Sequence, residues 1–246
     1  MSDNLKEGEI MTFDGSEKLI GTGAQAKVYL YHGFAYKVYN ESYPAEWIAF
    51  EKEQQLAVNK AGICPVKYYD TDDPHIIKMD LVEGDQLEKA VPTAPEEGFK
   101  LLAKAFRFVH QADATNTTIP LLSATADLVL TEDEKPVALP IIERLSQKYT
   151  SCICHLDMHF LNIMLPPDAP LVADKINYTI IDWMNTRLAP PVFDYARTYV
   201  IFDEFAKDAV EFYKAAVWPD VQALGISEED FFEAVKVCTI LRSKEK

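Results

Sequence analysis

Residues 154–165 read CHLDMHFLNIML, and much of the chain supports this stretch. It places a carboxylate, Asp157, five residues before an amide, Asn162, and an apolar run follows the amide. Twenty residues after Asn162 comes Asp182, which directly follows the strand-forming run 178–181. This run predicts a short buried strand that ends at the second carboxylate.

Phosphoryl transfer uses three groups of this kind. One carboxylate orients the attacking hydroxyl and accepts its proton, while an amide oxygen and a second carboxylate hold Mg²⁺ on the phosphates. Mg²⁺ prefers oxygen ligands, so Asn162 and Asp182 are candidate metal ligands and Asp157 is the candidate catalytic base. Ordinary turns are the alternative, because Asp, Asn and His are common in them. The rest of the chain decides between a site and a turn.

Length and charge restrict the class of protein. The chain has 246 residues, 48% of them hydrophobic and 26% charged, which is enough for one large domain or two small lobes. Its net charge of −15 argues against nucleic acid as a main partner and permits a cationic substrate. No stretch approaches the roughly 20 apolar residues of a membrane span, so no membrane partner is expected.

The N-terminal residues and the cysteines indicate the compartment. Residues 1–9 are rich in charge and lack the apolar run of a signal peptide. Cys64, Cys152, Cys154 and Cys238 lack the spacing of a zinc site or of a disulfide framework. We therefore expect reduced thiols and a cytoplasmic protein.

Glycines near the N-terminus predict a phosphate-binding hairpin. Residues 10–13 indicate a first strand, and residues 19–31 read LIGTGAQAKVYLY, a strand, a glycine turn and another strand. At Gly21, Gly23 and Ala24 the backbone N–H groups could approach phosphate oxygens with little side chain in the way. The alternative is a plain hairpin.

A strand lysine and a helix glutamate come next. Residues 34–39 alternate as a strand that contains Lys37, in the position where kinases place the lysine that binds the α- and β-phosphates. Residues 44–61 predict a helix whose apolar stripe contains Glu53. A carboxylate on a core face needs a partner, and Lys37 is the candidate. Glu51 is the rival, on the other side of the helix. The stripe consists of Ala49, Phe50, Leu56 and Ala57.

Two further strands, 66–70 and 75–82, lead into a bend. The backbone from Asp80 to Val82 could pair with the edge of an adenine, and an ordinary strand end is the alternative. Beyond the bend the pattern becomes mainly helical. The predicted helices are 93–110, 121–130, 136–149, 195–206, with Asp194 as a possible N-cap, and 227–241.

The order of these parts resembles the protein-kinase-like fold, and more closely the aminoglycoside phosphotransferase and choline kinase family. That family's loop HGDLHPGNIL is similar to HLDMHFLNIM at residues 155–164, and its IDW resembles residues 181–183. Its P-x-x-D-x-A pattern fits residues 191–196, where the family's aspartate, here Asp194, braces the catalytic loop. The resemblance covers roughly residues 17–200 and is most specific at the catalytic loop.

Several positions depart from the family pattern. Leu156 replaces a glycine, Phe160 and Leu161 replace Pro-Gly, Met184 replaces an acid, and Ala26 stands where a third glycine is expected. None of these changes removes a charged group assigned above. They alter the path of the loop and therefore the acceptor pocket.

The resemblance implies an α+β, protein-kinase-like bilobal fold. Residues 1–84 would form a nucleotide-binding N-lobe, a small antiparallel sheet with one helix. Residues 85–246 would form a mainly helical C-lobe with the catalytic loop and the acceptor site.

The implied activity is transfer of phosphate from ATP, with Mg²⁺, to a hydroxyl of a small, cationic molecule such as an aminoglycoside or an amino-alcohol. Asp157 would be the base, Asn162 and Asp182 the metal ligands, and Lys37 with Glu53 would position the triphosphate under residues 21–26. A monomer or homodimer is expected. The alternatives are a nucleotide-binding pseudokinase or regulatory protein and, third, a protein kinase, which Asp-Phe-Gly followed by Ala-Pro-Glu would indicate. No Asp-Phe-Gly is present, and the one Ala-Pro-Glu, residues 94–96, comes before the catalytic loop.

Overall fold

The computed structural model describes residues 13–245, so most of the strand predicted at 10–13 lies outside the described residues. The described chain begins with a five-stranded antiparallel sheet in the order β1-β2-β3-β5-β4, accompanied by one long helix. These elements are β1 (Lys18–Thr22), β2 (Ala26–Tyr31), β3 (Phe34–Tyr39), α1 (Ala45–Lys60), β4 (Tyr68–Tyr69) and β5 (Ile76–Asp80).

Local turn chemistry sets the register of this sheet. His32 and Gly33 join β2 to β3 with φ angles of 46° and 78°, so the turn uses two left-handed residues, as in the tight hairpin turns that match strand twist. Tyr31 therefore pairs directly with Phe34, and Val28 lies opposite Lys37. The register places the lysine in the middle of the sheet.

The second part of the chain is mainly helical, with short strands around the catalytic loop. Its elements are β6 (Asp85–Gln86), α2 (Leu87–Ala90), α3 (Pro95–His110), α4 (Leu122–Val129), α5 (Lys135–Lys148), β7 (Cys152–Cys154), β8 (Ile163–Leu165), β9 (Thr179–Ile180), β10 (Arg187–Ala189), α6 (Pro191–Phe205), α7 (Val210–Ala223) and α8 (Glu228–Arg242). The strands form two small antiparallel sheets, β6-β8-β9 and β10-β7. The predicted architecture, a small antiparallel sheet with one helix followed by a mainly helical lobe, is confirmed.

The chain passes from the five-stranded sheet to the helical part at a glycine that cannot be replaced without a rearrangement. Gly84 has φ of 120°, and a Cβ there would lie 1.8 Å from the carbonyl oxygen of Leu165. Only glycine tolerates both the dihedral angle and the close approach. The crossing therefore packs directly on β8, the strand that follows the catalytic loop.

Helix α6 lies at the centre of the C-lobe. Every residue from Pro191 to Thr198 is buried, and the helix packs against α7 and α8. It begins at Pro191, four residues before the predicted start, because proline suits the first helical position, where no N–H is needed. Asp194 therefore lies inside the first turn and is not an N-cap.

One large hydrophobic core runs through the C-lobe and reaches the end of α1 at Val58, and a smaller cluster lies under the sheet. The C-lobe core supplies the rigid base for the catalytic loop, because Met158 and Ile163 on either side of the site are fully buried. Among the described residues, no helix has both the length and the apolar character needed to cross a bilayer.

Candidate active site

A cleft of about 500 Å³ lies between the sheet and the catalytic loop. It brings together residues that are far apart in sequence, and of the predicted site residues only Glu53 is not part of its lining. The predicted residues that line it are Gly21, Gly23, Ala24, Lys37, Asp80, Val82, Asp157, Asn162 and Asp182.

The glycine hairpin is hydrogen-bonded to Asn40, the residue that follows β3. Gly23 N–H donates to the Ala26 carbonyl at 2.8 Å, which closes the turn. Asn40 donates from its backbone to Gln25 at 2.9 Å and from its side-chain amide to Ala24 at 3.3 Å. The loop is thus held as a defined turn at the edge of the cleft.

The fold itself does not require glycine in this hairpin. A Cβ at Gly21 would meet Val28 at 3.5 Å, and one at Gly23 would meet the Ala26 carbonyl at 3.5 Å, both ordinary contact distances. Neither glycine has a positive φ. The two glycines line the cleft, and the absence of side chains there leaves the backbone accessible to a ligand.

Lys37 is paired with Glu51. Its Nζ lies 2.8 Å from Oε1 and 3.0 Å from Oε2, and the Glu51 side chain is only 1% exposed. Two tyrosine hydroxyls, from Tyr39 and Tyr68, also donate to this carboxylate, the latter at 3.3 Å. A buried carboxylate with three donors is well satisfied, so it holds the lysine in a fixed position.

The prediction that Glu53 is the partner of Lys37 is wrong. Glu53 is exposed, since it lies about 200° around the helix axis from Glu51. Leu56, which belonged to the predicted buried stripe, is 54% exposed. The face of α1 that packs inward instead carries Glu51, Gln54 and Gln55, all buried. Hydrophobicity misidentified the buried face because that face contains polar groups with partners outside the helix: Glu51 bonds to Lys37 and two tyrosines, and Gln55 bonds to Cys64 and to the Val66 carbonyl.

The surroundings of Lys37 keep it charged. Burial acts to lower its pKa, but the nearby carboxylates of Asp182 and Glu51 outweigh burial and raise the pKa well above its ordinary value. Asp182 Oδ1 lies 3.5 Å from Nζ. A charged lysine that faces the cleft with two acidic neighbours can donate to phosphate oxygens.

The backbone that follows β5 has unpaired hydrogen-bonding groups. The Asp80 carboxylate accepts from Lys67 N–H and from the Tyr69 hydroxyl, each at 2.9 Å, so its role is structural. Leu81 and Val82 both line the cleft, and neither has a backbone hydrogen bond to any part of the chain that the structure describes. Their N–H and C=O groups are therefore left unpaired by the described backbone.

Asp194 holds the start of the catalytic loop. Its carboxylate accepts from the backbone N–H of His155 at 3.0 Å and of Leu156 at 2.8 Å. It is also 2.9 Å from Nε2 of His110, at the end of α3. The loop conformation depends on this, because Leu156 has φ of 58°, where the related loop has glycine. Left-handed backbone costs a non-glycine residue roughly 1–2 kcal/mol, which these bonds help to offset.

His155 connects the catalytic loop to the strand that precedes Asp182. Its Nδ1 accepts from Asp157 N–H at 3.2 Å, and its Nε2 lies 3.0 Å from the Ile181 carbonyl. These bonds assign the proton to Nε2. Burial lowers the pKa of His155, so the neutral ring suits this place. The ring also packs against Trp183, with centroids 4.6 Å apart.

Asp157 and Asn162 are joined across the loop. The Asn162 amide donates to the Asp157 carbonyl at 2.9 Å and to its carboxylate at 3.2 Å. His159 Nε2 lies 3.6 Å from the same carboxylate. Burial would raise the pKa of Asp157, but His159, His155 and Arg197 outweigh it and lower the pKa to about 2. Asp157 is therefore ionised throughout the neutral range.

The donor set suits a hard divalent cation. The three recorded hydrogen-bond contacts of the Asn162 side chain all involve its nitrogen, and among the described residues its side-chain oxygen accepts none. The Asp182 side chain is 43% exposed and lines the cleft. Its backbone is in the left-handed conformation, with φ of 64°. One carboxylate and one amide oxygen that line the same cleft match the protein share of a magnesium shell.

Three residues that hold Glu51 or Asp157 were not predicted from the sequence. Tyr39 lies two positions after Lys37 on β3, so the period of a strand could have placed both side chains on one face. Tyr68 comes from a different strand, and nothing local links it to Glu51. His159 lies within the opening motif, but its contact with Asp157 depends on the tight turn between them.

Comparisons with known proteins agree with this geometry. The sequence model of the phosphotransferase enzyme family matches residues 16–224. Choline kinase LicA from Streptococcus pneumoniae has a TM-score of 0.63 at 16% identity, over 96% of this chain and 85% of that one. Comparison with curated protein sequences finds no match.

Two aminoglycoside phosphotransferase structures are similar in the same way. APH(3'')-Id from Streptomyces rimosus, in complex with ADP and streptomycin, has a TM-score of 0.61 at 19% identity, covering 92% of this chain and 94% of that one. The GDP complex of aminoglycoside 2'-phosphotransferase-IIIa has a TM-score of 0.60 at 15% identity, covering 97% and 87%. The shared fold confirms the predicted kinase-like bilobal architecture.

Proposed function

The chain belongs to the phosphotransferase enzyme family, and on this premise we propose that it transfers the terminal phosphoryl group of ATP, with Mg²⁺, to a hydroxyl group of a small molecule. The proposal rests on the convergence of four groups in one cleft. They are the charged Lys37, which is ion-paired with Glu51, the ionised Asp157, and the side-chain oxygens of Asn162 and Asp182. Each group matches a need of phosphoryl transfer.

Asp157 positions the acceptor. With a pKa of about 2, its carboxylate is a weak base, so it orients the hydroxyl by accepting a hydrogen bond and takes the proton late in the reaction. Late proton transfer fits a loose transition state, in which the bond to the leaving oxygen is largely broken before the nucleophile is attached. Asn162 and His159 keep the carboxylate in place.

Lys37 and the hairpin hold the nucleotide. Lys37 donates to phosphate oxygens, and Glu51 fixes its direction. The backbone of residues 21–26 covers the triphosphate, while the free groups of Leu81 and Val82 bind the base. Asn162 and Asp182 would hold Mg²⁺, which neutralises charge on the phosphates when bound.

A cationic acceptor is the second part of the proposal. Of the charged side chains that line the cleft, five are carboxylates and two are lysines; the carboxylates are Glu51, Asp80, Asp85, Asp157 and Asp182. Glu51 and Asp85 are ion-paired with lysines and Asp80 is hydrogen-bonded, so the negative charge that favours an amine comes from Asp157, Asp182 and the net charge of −15. The neighbours include a streptomycin complex and a choline kinase, so aminoglycosides and amino-alcohols are the acceptor classes to examine.

The compartment, the division into lobes and the oligomeric state are also part of the proposal. Four free thiols support a reducing, cytoplasmic compartment. Residues 1–84 would act as the nucleotide-binding lobe and residues 85–246 as the catalytic lobe, in a monomer or homodimer. The crossing at Gly84 supports a boundary at this point.

The test is phosphate transfer by the native protein and by Asp157→Asn, with choline, ethanolamine, streptomycin and kanamycin as acceptors. We expect the variant to lose about 10²–10⁴-fold in turnover because the hydroxyl is no longer oriented, while Mg·ATP binding persists. Asp168→Asn is the matched control, since Asp168 is exposed and asparagine tolerates its left-handed φ of 54°.

Full transfer by Asp157→Asn would overturn the role of Asp157. Tight Mg·ATP binding by the native protein without transfer to any acceptor would favour a nucleotide-binding regulatory protein instead.

A further inference from the structure

Two cysteines and a histidine meet behind the catalytic loop. Cys152 and Cys154 lie two positions apart on β7, so their side chains share one face of the strand. Their Sγ atoms are 3.8 Å apart. His110, the last residue of α3, completes the group, and one ligand atom from each of the three residues lies within 4.8 Å of the others.

We propose that His110, Cys152 and Cys154 form a zinc-binding site, separate from the nucleotide cleft. The distances fit tetrahedral zinc: two sulfurs at about 2.3 Å from the metal lie about 3.8 Å from each other. Three atoms no more than 4.8 Å apart lie within about 2.8 Å of a common point. Small side-chain shifts, on the order of 0.5 Å, therefore bring them to zinc–ligand distances.

A disulfide between the same cysteines fits the strand less well. Residues two apart on an extended strand have Cα atoms about 6.6–6.8 Å apart, whereas disulfides favour about 5.5–6 Å. Closing the bond would bend β7, which is paired with β10 through Cys152, Ile153 and Cys154. A metal can join the two sulfurs without moving the backbone.

The ligand chemistry selects a borderline-soft metal. Two sulfurs and an imidazole suit zinc, whereas magnesium requires oxygen. Cys152 is only half-buried, so solvent and a metal ion can reach its side of the site.

The histidine already has the support that metal-binding histidines usually have. Such a ring commonly donates its remaining N–H to a carboxylate, which fixes its orientation. His110 Nε2 lies 2.9 Å from Asp194 Oδ2, and Asp194 also holds the backbone of His155 and Leu156. A zinc ion here would share a carboxylate with the catalytic loop and help to order it.

The test is a cobalt titration of the full chain, stripped of metal and kept reduced without a competing thiol. Thiolate-to-cobalt charge transfer gives a near-ultraviolet band that oxygen ligands do not give, so cobalt in the magnesium site would not produce it. We expect the band to saturate at one Co²⁺ per chain and to disappear when Zn²⁺ is added. Zn²⁺ should also raise the midpoint of thermal unfolding.

Cys152→Ser and Cys154→Ser should each lose the thiolate band, and Cys238→Ser, which alters a buried thiol elsewhere, should keep it. If Cys154→Ser does not fold, the half-buried Cys152 decides the test. Absence of the band in the folded native protein would overturn the proposal, as would a band of unchanged intensity in Cys152→Ser.

Discussion

Glu51 and Glu53 are two positions apart on α1, and this small difference determines which carboxylate holds Lys37. Glu51 is buried at the centre of a group of donors, while Glu53 faces solvent. The pair offers a clean test because both residues belong to the same helix and can undergo the same change.

We predict that Glu51→Gln lowers phosphate transfer about 10²-fold, because Lys37 then lacks the partner that fixes its direction and shifts towards Asp182. Glu53→Gln should leave transfer within about two-fold, since an exposed side chain away from the cleft contributes little. Steady-state kinetics with a single acceptor measures both. Equal loss in the two variants would mean that the effect arises from the helix as a whole.

Leu156 shows two opposing effects at one residue. Its φ of 58° carries roughly 1–2 kcal/mol of strain that glycine would relieve. Leu156 is only 8% exposed and packs into the main core. Full burial of a leucine contributes about 1.5–3 kcal/mol to stability. Replacement by glycine would also leave a cavity and make the unfolded backbone more flexible, and both effects lower stability further.

At Leu156 the energy of side-chain burial should exceed the energy of backbone strain. We predict that Leu156→Gly lowers the free energy of unfolding by about 1–2 kcal/mol in urea titrations, the loss of burial exceeding the relief of strain. Transfer should persist, because the backbone N–H that bonds Asp194 remains. His32→Gly, at an exposed residue with φ of 46°, should change stability by less than about 1 kcal/mol. A stabilised Leu156→Gly would contradict this balance.

At the scale of elements, sequence patterns located most of the helices and strands but not all of their ends. The strand predicted at 34–39 and the helices predicted at 121–130 and 136–149 correspond to β3, α4 and α5. Helix α7 was not predicted; it contains Pro219, which usually indicates a break. Helix ends depend on single caps and prolines, and these are weaker signals than a repeated apolar pattern.

Asp230 joins α5 to α8. Its carboxylate accepts from Arg144 at 2.7 Å, from the Tyr149 hydroxyl at 2.6 Å and from Lys148. Ser227 caps α8 by accepting from Asp230 N–H at 3.1 Å, as the capping pattern predicted. The side chain of Asp230 is only 3% exposed, so its charge depends on these partners.

We predict that Asp230→Asn lowers the free energy of unfolding by about 1–3 kcal/mol at pH 7, because hydrogen bonds to a charged group are lost. The loss is limited because Arg144 and Lys148 are about half exposed and can turn to water. Urea titration measures it. An unchanged stability at pH 7 would show that the network contributes nothing.

The pH dependence has a defined sign. Burial would raise the pKa of Asp230, but the hydrogen bonds from Lys148, Tyr149 and Arg144 outweigh it and lower the pKa well below the ordinary 3.8. The stabilisation is therefore complete above pH 3.8 and is lost progressively as the pH falls below it. The difference in stability between the native protein and Asp230→Asn should stay constant down to about pH 4 and shrink as the pH falls below 3.8.

At the scale of the whole molecule, the order of motifs along the chain predicted two lobes, and the structure has them. The cleft between them depends on contacts that no local pattern reveals. Lys37 meets Asp182 from the opposite lobe, and His110 meets Asp194 across the C-lobe. Sequence reasoning found Asp182 because it ends a strand, and Lys37 because it follows a hairpin. It could not find the distances, because these depend on how separate elements pack.

Magnesium-dependent nucleotide binding tests the central claim most directly. Calorimetry of ATP binding, with and without Mg²⁺, should be carried out on the native protein, on Asp182→Asn and on the control Asp168→Asn. Asparagine keeps the left-handed backbone at Asp182 and removes only the charge.

We predict that the native protein and Asp168→Asn bind ATP much more tightly with Mg²⁺ than without it. Asp182→Asn should lose most of this dependence, with affinity for Mg·ATP reduced at least about ten-fold. If the native protein does not bind ATP, or if Asp182→Asn keeps the full effect of Mg²⁺, the cleft is not a site of metal-assisted phosphate transfer.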